Sequence, residues 1–253
     1  MLASPAAAPS ASLSRGWGNP VKLQTLVELN AERAARRPAI VVTDTASGEQ
    51  RLVKAKDFAS DPLRVELDKA LRMGKSANVD VAGKKLFLNV YAPTAKLVIV
   101  GAVHISQALA PIAQALGYDV TVVDPRTAFA SSERFPDVPL VAEWPDVALP
   151  PLNVDHYTAF VAVTHDPKID DPALLHAFER DCFYIGALGS RKTHAKRAER
   201  LRALGAKETD IARIHAPIGL PIGAVSPSEI AVAVMAEITA QLRLPPKEKE
   251  EAA

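Results

Sequence analysis

The hydrophobic pattern changes character partway along the chain. In the first third, apolar residues fall at helical or alternating spacing, as expected of half-buried elements. Leu23, Leu26, Val27 and Ala31 form a stripe that predicts a helix over residues 22–36, and Pro38 ends it before a strand at 39–43. Turn chemistry at Ala46-Ser47-Gly48 leads to a strand at 51–53, and residues 62–73 read as a second helix. Residues 78–81 and 85–91 alternate on either side of Ala82-Gly83, which predicts a hairpin. These elements make a small α+β domain over 20–92, followed by the short linker Ala92-Pro93-Thr94-Ala95, and no internal repeat is present.

After the linker the strands lose their polar positions and alternate with helices, the signature of a parallel sheet covered on both faces. Strands are predicted at 97–100, 119–123, 158–164 and 182–185, with a shorter one at 140–141. Helices are predicted at 106–116, 170–180 with Pro172 near its first turn, 191–204 and 227–242. The last has a strong start signal: Ser226 as N-cap, Pro227 at the first helical position, and Glu229 completing a capping box. The fold class expected is α/β, a Rossmann-like mostly parallel sheet over 96–243 with the smaller α+β domain before it. The Ala/Pro/Ser-rich stretch 1–19 and the charged, Pro-led stretch 244–253 are expected to be a disordered leader and tail.

Composition narrows the function classes. The 253 residues are 48% hydrophobic, and 30 Lys and Arg against 29 Asp and Glu leave a net charge of +1. That balance offers no global field for nucleic acid or an anionic membrane. No apolar run reaches the roughly 18 to 20 residues of a membrane span. A single cysteine, Cys182, supplies neither a disulfide nor a zinc site, so a reducing, cytoplasmic setting is expected. It lies in a predicted strand and reads as a small buried residue.

Candidate chemistry collects at strand ends. The apolar strand at 97–100 runs into Gly101-Ala102-Val103-His104 and then a helix, so helix-start amides can face an anionic group. Asp124 ends the next strand at a spacing close to the roughly 20 residues expected of a carboxylate that reads a ribose. The full G-x-G-x-x-G is absent, with Val103 and Ser106 in the second and third glycine positions, where they would crowd a pyrophosphate. A sheet that merely keeps a tight turn is the competing reading. A second turn, Gly186-Ala187-Leu188-Gly189-Ser190-Arg191, ends a later strand. Gly189 permits close approach, Ser190 caps the next helix, and Arg191 and Lys192 stand where the helix dipole favours anions, so a bound anion is expected to compensate. Lys196, Arg197 and Arg200 read as a solvated basic face.

Thr164-His165-Asp166-Pro167 closes an uncharged strand. There His165 is a candidate proton-transfer or ligand-bonding group with Asp166 orienting it, and an ordinary turn with a local cap explains the residues equally well. The stretch 215–224, with Pro217 and Gly219, is too apolar for a linker and too rich in Gly and Pro for a helix, and reads as an ordered loop. H-E-x-x-H, C-x-x-C, Walker and G-x-S-x-G patterns do not occur, and no protein-ligated metal is expected.

Taken in order, the Gly101–His104 turn, Val123-Asp124-Pro125-Arg126, Glu133-Arg134-Phe135-Pro136, Thr164–Pro167, Tyr184–Arg191 and Ile214–Leu220 resemble the XdhC/CoxI family, accessory proteins of molybdenum hydroxylases. The resemblance implies a Rossmann domain and a non-catalytic carrier of molybdenum cofactor, as molybdopterin or its cytosine dinucleotide form. Such a carrier assists sulfuration with a cysteine desulfurase and delivers the cofactor to an apo molybdenum hydroxylase such as xanthine dehydrogenase or carbon monoxide dehydrogenase. It leaves room for a homodimer and places cofactor contacts at Gly101, Ala102, Val103, His104, Asp124, Arg126, Thr164, His165, Asp166, Gly186, Gly189, Ser190, Arg191, Pro217 and Gly219. The Gly-rich, cysteine-containing N-terminal segment common in the family has no counterpart between Val21 and Tyr91. The alternative from another class is an NAD(P)-dependent oxidoreductase, with His165 or His194 as proton donor; no Tyr-x-x-x-Lys pair supports it.

Overall fold

The computed structural model describes residues 22–245, and the leader and most of the tail expected from sequence lie outside that range. The chain divides into two compact units that meet in sequence at Ala92 and Pro93. In the first, α1 (Leu23–Ala34), β1 (Ala39–Asp44), β2 (Gln50–Lys54), α2 (Arg64–Met73), β3 (Ala77–Val81) and β4 (Lys84–Tyr91) build an antiparallel sheet of order β2-β1-β4-β3. The β3–β4 hairpin turns on Ala82 and Gly83, both at positive φ (52° and 78°), the geometry of a tight hairpin turn. Its core is Ile40, Val42, Leu67 and Leu88.

The stripe predicted on α1 is not the buried one. Leu23, Leu26 and Val27 are exposed, whereas Leu29 and Glu32 face inward. On that inward face Leu29 packs on Ala39 and Val41, and Glu32 accepts a 2.6 Å hydrogen bond from Arg37 Nε and lies near Lys54, so the buried acid is paired.

The second unit is one six-stranded sheet. Its elements are β5 (Lys96–Val100), α3 (His104–Ala115), β6 (Asp119–Val123), β7 (Leu140–Val141), α4 (Pro145–Ala148), β8 (Thr158–Ala162), α5 (Pro167–Glu179), β9 (Tyr184–Ala187), α6 (Arg191–Ala203), α7 (Glu208–Ile211), β10 (Ile214–His215) and α8 (Pro227–Arg243). The strands run in the order β10-β9-β8-β5-β6-β7, and every pairing is parallel. Strand order reverses between β5 and β8, the topological switch point at which doubly wound sheets hold ligands.

Side-chain alternation distributes the two cores. Leu97, Ile99, Val122 and Val161 pack with α3 and α8 on one face, and Val98, Val100, Phe160 and Ala162 pack with α5 and α6 on the other. The uncharged strands of the sequence are therefore uncharged because both faces are covered. The capping box on α8 is present, Ser226 accepting from the Glu229 amide and Glu229 accepting from the Ser226 amide. Helix α5 starts earlier than its sequence pattern, at Pro167, with Asp166 as N-cap, so Pro172 lies inside the helix. Among the described residues no helix is long and apolar enough to cross a membrane.

Candidate functional site

Because all six strands are parallel, every strand-to-helix corner of this unit opens on one edge of the sheet. The corners after β5, β8 and β9 are neighbours, so the Gly101 and Gly189 turns lie two strand spacings apart, about 10 Å. Of the cofactor contacts expected from the sequence, only Gly186 lies within a strand, inside β9. A Cβ there would sit 2.5 Å from Ile218 Cδ1, so Gly186 is a packing glycine that seats the loop after β10.

Gly101 has φ of +121°, and a Cβ would stand 2.9 Å from Thr164 Cγ2. The residue is glycine because the β5 and β8 corners touch at the switch point. Ser106, expected to crowd a pyrophosphate, is instead turned inward and fully buried, where its hydroxyl bonds the Gly101 carbonyl oxygen. Val103 is the N-cap of α3 and packs partly into the core, and His104, the first helical residue, is exposed.

Asp124 takes a different part from the ribose reader expected. Its carboxylate is fully buried and accepts from the Ala102 amide at 2.7 Å, from the Arg126 amide and Nε at 2.9 Å each, and from Arg126 Nη2 at 2.8 Å. Four donors fill the four lone-pair positions of a carboxylate. Burial pushes this carboxyl up, but the hydrogen bonds from Arg126 and Ala102 outweigh it and hold the group below the usual range. The effect is to fix the Gly101 turn and to aim Arg126, whose side chain is 32% exposed and stacks over Phe129 at 4.5 Å. Arg134 ties the same segment down, donating to the carbonyls of Ala102 and Phe129 at 2.8 Å.

The β8 corner is filled in the same way. Asp170, 1% exposed, accepts from the Thr164 hydroxyl at 2.6 Å, the Thr164 amide at 3.3 Å and the His165 amide at 3.1 Å. His165 itself is exposed and held at φ +65°, a left-handed conformation in which the Asp170 carboxylate fixes its amide. Asp166 caps α5 through the Lys168 amide, the local turn reading of the sequence.

At the β9 corner, Gly189 has φ of +129° and Ser190 caps α6 through the Thr193 amide. Arg191 and Lys192 are exposed, and among the described residues no ion pair engages them. Arg197, placed by its sequence on a solvated face, is instead 1% exposed. Its place in the row Arg197, Ala198, Leu201, the buried face of α6, was the signal available for it.

The loop after β10 is ordered, as its composition predicts. Glu237 on α8 accepts from the Tyr184 hydroxyl at 2.6 Å and the Gly219 amide at 2.8 Å, and lies 3.1 Å from His215 Nδ1. Gly219, at φ +91°, presses on the Ala233 backbone, and Pro217 follows a cis peptide bond. Cys182 is 1% exposed, as its apolar context suggested, although it precedes β9 rather than lying within it; burial pushes its thiol up to about 12. Among the described residues no group of three or more His, Cys, Asp or Glu gathers as a metal site.

Comparison with known proteins gives one consistent assignment. A family model for the XdhC Rossmann domain matches residues 97–238. The chain is 35% identical over 155 residues to the uncharacterized protein YqeB of Escherichia coli, which covers 60% of this chain and 28% of that one. It is 34% identical over 154 residues to a probable xanthine dehydrogenase subunit of Bacillus subtilis, covering 60% and 44%. It is 32% identical over 154 residues to the molybdenum cofactor insertion chaperone PaoD of Escherichia coli, covering 61% and 42%. The chain thus spans less than half the length of each of these relatives. A crystal structure of a xanthine dehydrogenase from Bacillus halodurans shares the fold with a TM-score of 0.63 at 24% identity, over 88% of this chain and 69% of that one. That span is longer than the second unit alone, so the shared fold extends into the first.

Proposed function

The chain belongs to the XdhC Rossmann-domain family, and on that premise we propose that it is a molybdenum cofactor accessory protein that holds the cofactor for insertion into an apo molybdenum hydroxylase. The name of one relative supports the cofactor and that of another supports the class of client. The finer parts of the proposal are sulfuration with a cysteine desulfurase, a client of the xanthine or carbon monoxide dehydrogenase type, a cytosine dinucleotide form of the cofactor, a homodimer and a cytoplasmic location.

The observation that carries the reading is Arg126. A guanidinium locked on a buried carboxylate beside the β5 corner is a pre-aimed anion receptor at the switch point, where a phosphate-bearing group fits. The buried thiol of Cys182 is closed to a ligand, so the grip available in this unit is on the anionic part of the cofactor. When bound, the cofactor supplies the redox metal. The chain's own residues orient the phosphate end at Arg126 and beside Gly189, the Gly101 and Ala102 amides being taken by the Val123 carbonyl and Asp124.

The test is recovery of molybdopterin, read as fluorescence after oxidation, with the purified protein, together with activation of a cofactor-free hydroxylase on mixing. Arg126→Ala should reduce the bound cofactor roughly tenfold, the loss of about one charged hydrogen bond. Absence of both signals with the wild-type chain overturns the carrier reading. The strand order also suits NAD(P), but the filled carboxylate of Asp124 leaves no ribose acceptor; saturable NAD(P)H binding would favour that alternative.

A further inference from the structure

Arg197 is the largest fully buried side chain in the structure, and its charge is poorly matched. Nη2 donates to the Leu188 carbonyl at 2.8 Å, which sets the guanidinium against the inner side of the turn that continues into Gly189. Nε and Nη1 are buried with no acceptor. The near carboxylate, Asp170, is 3.9 Å from Nη2 and already serves three donors of the β8 corner, while Asp171 is paired with Arg200 at 2.6 Å. One turn earlier on the same helix, His194 Nδ1 is also buried without a partner. A buried guanidinium with open N–H groups is costly unless something supplies acceptors.

The surroundings add positive charge. Arg191 and Lys192 stand in the first turn of α6, where the helix's own partial charge is positive and an anion is favoured. At the turn that the guanidinium bonds, Leu188 and Gly189 are half-buried and Ser190 is exposed.

We propose that the β9 corner is an oxyanion subsite in which Arg197 is the receptor and a phosphoryl group is the class of ligand. Nη2 belongs to both forks of a guanidinium, so either open nitrogen can complete a bidentate grip beside the Leu188 carbonyl, with His194 as an adjacent donor. His194 is kept neutral at ordinary pH, its pKa lowered by burial and by the charge of Arg197, so its ring nitrogen adds a hydrogen bond and no further repulsion. Arg191 and Lys192 serve as the outer, solvent-facing part of the same field. The inference rests on the sheet-edge reading behind the carrier role, but it concerns an anion alone and is measured without molybdenum cofactor.

The experiment titrates inorganic phosphate into the full chain carrying isotope-labelled arginine, following the Nε–H resonance of Arg197 identified by its loss in R197K. A saturable shift of that resonance is expected, with phosphate affinity reduced roughly tenfold to a hundredfold in Arg197→Met and unchanged in Arg202→Ala at the far end of α6. No shift in the wild type, or equal affinity in Arg197→Met, overturns the subsite. If neither Arg197 variant folds, the wild-type chain crystallised from phosphate decides: a tetrahedral ion bonded to Arg197 supports the proposal, and water alone at the open nitrogens refutes it. Phosphate binding without molybdopterin recovery would sink the carrier role and leave the subsite standing; the converse result would do the opposite.

Discussion

At the scale of single residues, the buried carboxylate of Asp124 has the clearest consequence. Its folded pKa is depressed, so it stabilises the protein above the unfolded value of about 3.9, and that contribution is lost as pH falls through the folded value. Asp124→Asn should cost about 2–4 kcal/mol at neutral pH and flatten the acid limb of the stability curve, as read by denaturant melts from pH 7 downward. An equal acid slope in both proteins would remove Asp124 from that role. Gly101→Ala combines an unfavourable φ with a Cβ pressed on Thr164, and a loss of about 2–4 kcal/mol is expected in the same assay. The sequence made Gly101 legible because a strand running into a glycine before a helix is a local signal. It hid Asp124's true partner, Arg126, although the two are nearly adjacent, because a carboxylate at a strand end suits a ribose and a guanidinium equally. Arg197 was missed for a related reason: its row with Ala198 and Leu201 hinted at burial, but the partners that hold a basic residue inward, Asp170 and Leu188, lie outside its own helix.

Among the elements, the strands of the second unit were readable because burial on both faces leaves their interiors uncharged, with Lys96 and Asp119 only at strand starts, and α8 because its capping box is written in four consecutive residues. Strand β10, at two residues, is too short to leave a period, and its pairing with β9 follows from the loop being seated on Gly186. Helix α1 misled because its exposed stripe is more apolar than its buried one. The loop after β10 depends on α8 through Glu237, whose carboxyl burial pushes up but which His215, Tyr184 and the Gly219 amide hold below the usual range. Glu237→Gln should speed hydrogen exchange at the Gly219 amide roughly tenfold, since a neutral acceptor replaces a charged one. Unchanged protection there would show that packing on Ala233 suffices.

For the molecule as a whole, the division at Ala92 and Pro93 separates two units with their own sheets and cores. A fragment beginning at Pro93 is therefore expected to fold by itself and to show a cooperative melt, measured by circular dichroism and calorimetry. A fragment that stays unfolded would show that the second unit needs the first. The family assignment was legible in sequence because it rests on an ordered series of corner motifs. The work of the first unit was not, because its alternating strands and stripes specify a small α+β fold and no chemistry.

Asp124 and Asp170 occupy the innermost amides of two corners with the protein's own oxygens. A guest that leaves this edge abandons no broken bonds at those positions, and one that arrives need not repair any. Release at these two corners is thereby as unobstructed as capture, a property that the proposed carrier role would use.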